Sequence, residues 1–419
     1  MDAKQDWNFC PPEILCVVLK HLCSRQLLNC MLVSRRWKAI ADDYIESHGL
    51  WQSMVGEEMD NHGVTYRRKS VLGWKNMLMN SILWTFCRSA KVKRIHTYKL
   101  NNIQCIHMYH DRLIIKNCEH KIEYYNVTNF DSVKVIDGPC LPFFLDEAVD
   151  FTENDSMLLS LYQKGALHLY GKTHPCSPSS AQCKASREQY MDRAFLYKLE
   201  DNICYVVDSK FIVWACIWTN NKWDVQLVGR YYSSANDKAA AIHVYNNRVY
   251  IVTNLGTVLC DCPYTKSFQK MFNCDIEDYK CPYNWVLFHK HDIVVSIKSD
   301  PGQAGPGLSL HTIRTHNHLR FECPGMTCAI EHGEVLLIGY SNGKIMICVA
   351  NETLDKGGTG GKPDVLIFIQ DYDMSIQDPC IIALEVFEDR LSHHLLVATK
   401  DHVSQLHLTY PDRITELYE

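Results

Sequence analysis

No stretch of this 419-residue sequence approaches twenty uninterrupted apolar residues, and its start, MDAKQDWNFCPP, has no basic segment running into an apolar one. Such a pattern offers neither a membrane-spanning helix nor a secretory leader. No membrane partner is expected, and the place of action is expected to be the cytoplasm, the nucleus or both. Positive charge is not in excess: a formal net charge of −5 argues against a surface built for nucleic-acid phosphates, so no nucleic-acid partner is expected. The HExxH motif, the P-loop and the Rossmann glycine pattern do not occur, and GKTHPC at 171–176 lacks the upstream glycine of a phosphate loop. A catalytic role is not expected. Although there are 20 cysteines, no two stand in the C-x-x-C spacing of a zinc knuckle or redox site. The nearest approach, Cys260 and Cys262, reads as part of a strand. Cys105, Cys204, Cys216, Cys348 and Cys380 stand in apolar runs, where a reduced thiol serves as a small hydrophobe. His393 and His394 are adjacent, so on a strand they face opposite ways and cannot share a metal. Neither metal nor cofactor is expected. Without a leader, the sequons at Asn126, Asn154 and Asn351 carry no weight.

What the chain does contain is apolar and patterned, with 47% hydrophobic and 22% charged residues over a length that suits two or three domains. The organising stretch runs from Cys10 to Asp43. Ile14, Leu15, Val18, Leu19 and Leu22 recur at helical spacing, and Pro11 and Pro12 stand where a helix begins, since a missing N–H is harmless in the first turn. A second short helix, capped by Ser24, should carry Leu27, Leu28, Met31 and Leu32. A third, capped by Ser34, should carry Trp37, Ile40 and Ala41. Three short helices cannot bury this much apolar surface among themselves, so a partner or a second domain must cover part of it.

In these residues the chain resembles the F-box. Pro11, Glu13, Ile14, Leu15, Leu19, Leu22, Leu27, Leu28, Val33, Ser34, Arg35, Arg36 and Trp37 follow that family's pattern in order. Cys10 stands where leucine is usual, and Gln26 where an acid is usual. The resemblance implies an all-α F-box over residues 1–41. It also implies that Pro11, Ile14, Leu15, Leu19, Leu22, Leu27, Leu28, Val33 and Trp37 form or support the apolar surface for a Skp-type adaptor. Helical spacing then continues, with Val71, Trp74, Leu78 and Ile82 on one face, and residues 42–90 read as a rigid helical linker. Met1 to Phe9 are too few for a stable dimerisation helix, so one copy per complex is expected.

From about residue 100 the apolar period changes to two. A unit of polar pair, strand, turn and second strand starts at 111, 154, 201, 247, 291, 333 and 389. One strand precedes each unit, as in IQCIHMY and IIALEVF, and another usually follows, as in SVKVI and DVLIFI. Four strands in about 45 residues, repeated seven times, is the make-up of a seven-bladed propeller. Residues 91–419 resemble the WD-repeat propellers in period and strand pattern. Closure requires one blade built from both ends of the domain, and KVKRIHTY at 91–98 can supply the outer strand of the last. The excursions 173–189, 300–307 and 351–364 are longer or more polar than the turns around them. The second of these is expected on the face that propellers use for ligands.

The expected fold class is therefore multidomain: an N-terminal all-α F-box and helical linker, then an all-β seven-bladed propeller. That order resembles the F-box/WD-repeat substrate receptors of cullin-based SCF ubiquitin ligases. The resemblance implies a non-catalytic subunit that binds the Skp-type adaptor, and through it a cullin, at one end and a protein substrate at the other. A scaffold that recruits the adaptor without turning over substrate is the alternative. With strands ordered as in WD-type blades, the loops between second and third strands share one rim bearing Lys116, Lys121, Lys164, Lys210, Lys298 and Lys400, a ring of charge suited to an acidic or phosphorylated degron. Against that stand the acids Asp146, Glu147, Glu277, Asp278, Asp371 and Asp373 on the neighbouring connections, where arginine is nearly absent apart from Arg230. Phe143, Phe144, Tyr231, Tyr232 and Tyr340 would suit a neutral peptide at the same rim.

Overall fold

The computed structural model describes residues 10–62, 73–100, 102–109, 111–117, 122–136, 148–162, 165–172, 188–191, 194–232, 238–245, 248–253, 255–273, 285–289, 293–298, 307–312, 318–322, 325–332, 335–349, 364–369, 380–389 and 392–411. Lys121, Phe143, Phe144, Lys164, Val71, the six acids named above and most of the three polar excursions lie outside these residues, as does the side chain of Lys298.

Helix α1 (Pro12–Leu19) begins on its proline, with Pro11 as an extended N-cap. Helix α2 (Ser24–Met31) is capped not by Ser24 but by Cys23, whose N–H donates to Gln26 Oε1 at 3.0 Å. Ser24 Oγ instead donates to Glu57 Oε2. An amide at the third helical position satisfies an otherwise orphaned N–H, which gives Gln26 a structural role. Helix α3 (Arg35–Ser47) is capped as expected, Ser34 Oγ accepting the Trp37 N–H at 3.2 Å. Helices α4 (Trp51–His62) and α5 (Gly73–Thr85) follow. Leu15, Leu19, Leu27, Met31, Trp37, Ala41 and Ile45 share one core with Met54, Val55, Met77, Leu78, Met79 and Leu83. The first three helices thus find in α4 and α5 part of the cover that their sequence demands.

Beyond α5, a 3-10 turn (Cys87–Ser89) leads into β1 (Lys91–Lys99). Blade 1 is β2 (Ile103–Tyr109), β3 (Arg112–Asn117), β4 (Ile122–Asn126) and β5 (Ser132–Ile136). Blade 2 is β6 (Ala148–Glu153), β7 (Met157–Tyr162), β8 (Leu167–Gly171) and β9 (Glu188–Met191). Blade 3 is β10 (Ala194–Glu200), β11 (Ile203–Asp208), β12 (Ile212–Thr219) and β13 (Lys222–Arg230). Blade 4 is β14 (Ala239–Tyr245), β15 (Arg248–Thr253), β16 (Thr257–Cys262) and β17 (Ser267–Asn273). Blade 5 is β18 (Trp285–His289), β19 (Ile293–Lys298), β20 (Gly307–Thr312) and β21 (His318–Glu322). Blade 6 is β22 (Met326–His332), β23 (Val335–Tyr340), β24 (Ile345–Val349) and β25 (Asp364–Ile369). Strands β26 (Ala383–Asp389), β27 (Ser392–Ala398) and β28 (His402–Thr409) complete the set.

Every blade is an antiparallel sheet in sequence order, and the last is closed by β1, which pairs with β28 from Lys91↔Thr409 to Lys99↔His402. The two ends of the domain are therefore zipped into one sheet, as the 91–98 segment suggests. Blades 3 and 4 also touch at their outer edges, where Arg230 pairs with Ser267 and the Arg230 N–H donates to Lys266 O at 3.0 Å. A glycine suits that contact, because a Cβ on Gly229 would press on the Lys266 backbone at 3.0 Å. The first strands of most neighbouring blades lie side by side. They form the innermost ring, so each blade runs from a central channel to an outer strand. The sequence's Trp-Asp pair, Trp223 and Asp224, opens the outer strand β13, with the Trp223 ring 5.0 Å from that of Trp218.

Antiparallel order fixes two faces. Each first strand ends, and each second strand begins, on the face where α5 docks. There Trp84 enters the core between blades 6 and 7, among Val335, Leu337, Val386, Leu395 and Leu408. Its ring stacks on His393 at 4.0 Å, and its Nε1 donates to Glu388 Oε1 at 3.1 Å. Glu388 also meets His332 Nε2 at 2.8 Å, and His393 Nδ1 shares a 2.5 Å hydrogen bond with the Tyr410 hydroxyl. Asn80 Nδ2 donates to Asp389 O at 2.9 Å. As expected, His393 and His394 part company, since His394 stacks on His407 at 4.4 Å. The turns between second and third strands lie on the opposite, far face.

Truncating Trp84 to alanine should destabilise the chain by about 3–5 kcal/mol, as for other large buried aromatics, and limited proteolysis should then cut between helices and propeller. Acid should loosen the same joint. Burial opposes the charge on Glu388, but His332 and the Trp84 N–H outweigh it and hold the carboxyl down at about 2, against 4.5 in the unfolded chain. That contribution is complete above pH 4.5 and is lost as pH falls toward 2. Burial holds His393 down to about 3, against 6.5 unfolded, so the unfolded chain gains a proton that the fold refuses as pH drops below 6.5. Both effects have the same sign. The thermal midpoint should fall less steeply between about pH 6.5 and pH 4.5 in a His393→Phe variant than in the wild type, the buried His394 leaving part of the loss in place.

Candidate functional site

The helical end presents an apolar surface. Ile14 is 52% exposed, Val17 59%, Leu32 40% and Val33 62%. Ile14 and Val17 stand one turn apart on the outer side of α1, and Leu32 and Val33 follow the end of α2. Sequence reasoning put Ile14 on one face with Leu15 and Leu19, but the helix turns it outward while those two are buried. The nine residues expected to serve the adaptor thus divide. Pro11, Ile14 and Val33 are exposed, Leu22 and Leu28 are half-buried, and Leu15, Leu19, Leu27 and Trp37 form the core beneath. Val17 and Leu32 were missed, although the i, i+3 spacing from Ile14 and the sequence neighbour Val33 were both in view. Arg36 Nη2 donates to Cys10 O at 2.5 Å, tying α3 to the entry of α1 beside this surface.

Residues 7–54 match the family model described as F-box-like. The chain carries an F-box-like domain. No curated protein matches the chain. Among solved structures, the C-terminal WD40 domain of Sif2 is 11% identical over 74% of this chain and 81% of its own, with a TM-score of 0.48. BamB from Moraxella catarrhalis is 10% identical over 76% and 100%, with a TM-score of 0.45. The computationally designed Ika8 protein is 14% identical over 75% and 98%, with a TM-score of 0.47. The propeller rests on the strand order given above, not on these likenesses.

On the far face, Lys210 and Lys400 are exposed in the turns of blades 3 and 7. The Lys210 turn is organised by buried Asp208, whose Oδ1 accepts the N–H groups of Lys210 and Ile212 at 2.8 and 3.0 Å and whose Oδ2 accepts Trp214 Nε1 at 3.1 Å. With its backbone bonds made inside, the lysine side chain is left to solvent. Arg230 is exposed at the far end of β13, and Tyr232 just beyond it is 87% exposed. Two expectations fail here, at Lys116 and Tyr231, while Tyr340 keeps its place at the far end of β23. Lys116 is only 1% exposed, since it lies within β3, paired with Cys105 and Ile122, not in the turn. Tyr231 is buried, edge-on to Phe211 at 5.3 Å and Phe268 at 6.3 Å, and is a core residue. Tyr340 is half-buried, its hydroxyl 3.7 Å from Met346 Sδ.

One stretch of blade 6, Gly339 to Gly343, spells the G-x-S-x-G of a nucleophile elbow. That motif needs a strand-to-helix turn, whereas Ser341 lies in a hairpin turn between β23 and β24. Its glycines have structural causes: Gly343 has φ +78°, and a Cβ on Gly339 would meet Ile381 Cγ2 at 2.7 Å.

The two groups of F-box residues should separate in denaturation experiments. Leu19→Ala should cost about 2–5 kcal/mol in chemical unfolding, whereas Ile14→Ala and Val33→Ala should stay within about 0.5 kcal/mol of wild type.

Proposed function

We propose that this chain is the substrate-recognition subunit of an SCF-type ubiquitin ligase. Its F-box binds a Skp-type adaptor, and through it a cullin, by Ile14, Val17, Leu32, Val33 and Pro11, while Leu15, Leu19, Leu27 and Trp37 hold that surface in shape. The far rim of the propeller, with Lys210, Arg230, Tyr232 and Lys400, receives the protein substrate. The observation that carries this reading is the apolar surface at Ile14, Val17, Leu32 and Val33 on a helical body docked against the opposite face from that rim. Exposed aliphatic side chains grouped on one side of a small helical domain mark an interface. A receptor also needs its two binding ends at a fixed separation, because its contribution to ubiquitin transfer is proximity and orientation with no bond chemistry of its own. Of the expected limits 1–41, 42–90 and 91–419, the second suits this division of labour, whereas the first falls inside α3 (Arg35–Ser47) and short of the end of the F-box-like match at 54.

A double Ile14→Asp, Val33→Asp variant tests it. With about 2–4 kcal/mol lost at each central contact, adaptor co-purification should vanish while circular dichroism and the thermal midpoint match wild type. Retained adaptor binding sinks the reading. Proximity labelling with wild type and this variant then identifies rim partners, since substrates of a ligase should accumulate on the variant. Partners that bind equally to both, and gain no adaptor-dependent ubiquitin, identify a scaffold instead. Charge reversal at Lys210, Arg230 and Lys400 should weaken an acidic or phosphorylated substrate and spare a neutral one.

A further inference from the structure

The central channel holds a polar cluster that neither the F-box nor the rim employs. Cys105 and His107 stand two apart on β2 and so share its channel side. Asp150 comes from the first strand of blade 2, Glu385 from that of blade 7 and Tyr197 from that of blade 3. A β-bulge precedes both Cys105 and Asp150, and bulges are devices that re-aim side chains. One ligand atom each from Cys105, His107 and Asp150 falls within 4.8 Å of the others. His107 Nε2 lies 3.5 Å from Asp150 Oδ1, too far for a good hydrogen bond, and makes none among the described residues. Donor atoms on a tetrahedral zinc, at about 2.0–2.3 Å from it, are themselves about 3.3–3.8 Å apart.

We propose that Cys105, His107 and Asp150 bind one zinc ion in the channel, with Glu385 and Tyr197 as positioning residues. A second carboxylate stands near the imidazole: Glu385 Oε1 lies 3.6 Å from His107 Nδ1, longer than a hydrogen bond and on the side where a carboxylate would orient a metal-binding imidazole. Asp150 Oδ2 accepts the Tyr197 hydroxyl at 2.6 Å, and its Oδ1 accepts the Phe151 N–H at 2.8 Å, so the ligand carboxylate is held before any ion arrives. A mixed thiolate, imidazole and carboxylate set suits zinc better than magnesium or calcium, which prefer oxygen alone. Three protein ligands leave the fourth position to water. The ion would bridge blades 1 and 2, next to the blade that β1 closes.

The test uses the full reduced chain, stripped with chelator and titrated with Co2+ as a spectroscopic probe, then with Zn2+ against a chromophoric chelator. One Co2+ per chain should bind, with tetrahedral d–d bands and a thiolate-to-cobalt charge-transfer band. Cys105→Ser should abolish the charge-transfer band. Asp150→Asn should weaken Zn2+ at least tenfold, and Glu385→Gln and Tyr197→Phe by about 10–100-fold. If His107→Ala fails to fold, Asp150→Asn and Cys105→Ser still decide the matter. A charge-transfer band that survives in Cys105→Ser, or Zn2+ affinity unchanged in Asp150→Asn, overturns the proposal by placing the metal on other thiols.

Discussion

Trp84 sets the geometry of the whole chain. It belongs to a helix, yet its ring is part of the core between two propeller blades, stacked on His393 and donating to a buried carboxylate. A buried Glu388 would be costly alone, but Trp84, His332 and His393 surround it, so the charge and the indole hold each other in place. Removing one partner leaves the other exposed to a penalty, which is why such a joint behaves as a unit. The tryptophan also explains why α5 is apolar on several sides. Met77, Leu78 and Met79 face the other helices while Trp84 faces the blades, and a helix sandwiched in this way has little surface left for charge.

Propeller closure depends on the same region. Only a 3-10 turn, Cys87–Ser89, separates α5 from β1, and β1 is the outer strand that seals the last blade against β28. Tyr410, which follows β28, returns to the helical core and to His393. The end of the repeat domain is thereby anchored to its beginning twice, once by a strand ladder and once through the helices. Aromatic packing joins other blades too. The Trp218 indole of blade 3 donates to Lys172 O at 2.9 Å and lies where a Cβ on Gly171 would stand.

Period was what the sequence showed best. Strand-turn-strand units repeat at the same spacing wherever a blade repeats, and each unit became the second and third strands of a blade. The F-box was readable because apolar spacing, two prolines and Ser34 all agree on three helices. What stayed hidden was direction and long-range company. Ile14 and Leu15 are neighbours in sequence with opposite fates, decided by about 100° of helical turn. Lys116 looked like a turn lysine, but β3 runs on to Asn117 and carries it into the ladder, and burial followed. The hydrogen-bond partners that make Glu388 tolerable, Trp84 and His332, come from α5 and blade 6, 56 or more residues away in the chain, so no local window contains them. Cys105 and His107 carried no metal-like spacing for the same reason, their third companion Asp150 lying on another blade.

Rigidity at the joint has a consequence for how different partners can be served. The helical body cannot rotate against the propeller without either unstacking Trp84 from His393 or stripping β1 from β28, since both lie within a few residues of α5. Interface motion of that kind costs several buried contacts at once and is not available to thermal fluctuation at low energy. On the receptor function proposed above, adaptation to a substrate falls to the far face, where the described turns of blades 3 and 7 expose Lys210 and Lys400 and the former is held on Asp208. Loops on a rigid scaffold are where proteins place variable recognition. On that proposed function, constancy belongs to the Trp84 joint and the F-box core, and selectivity to exposed side chains such as Tyr232 and Arg230, which can be exchanged with little disturbance to the fold.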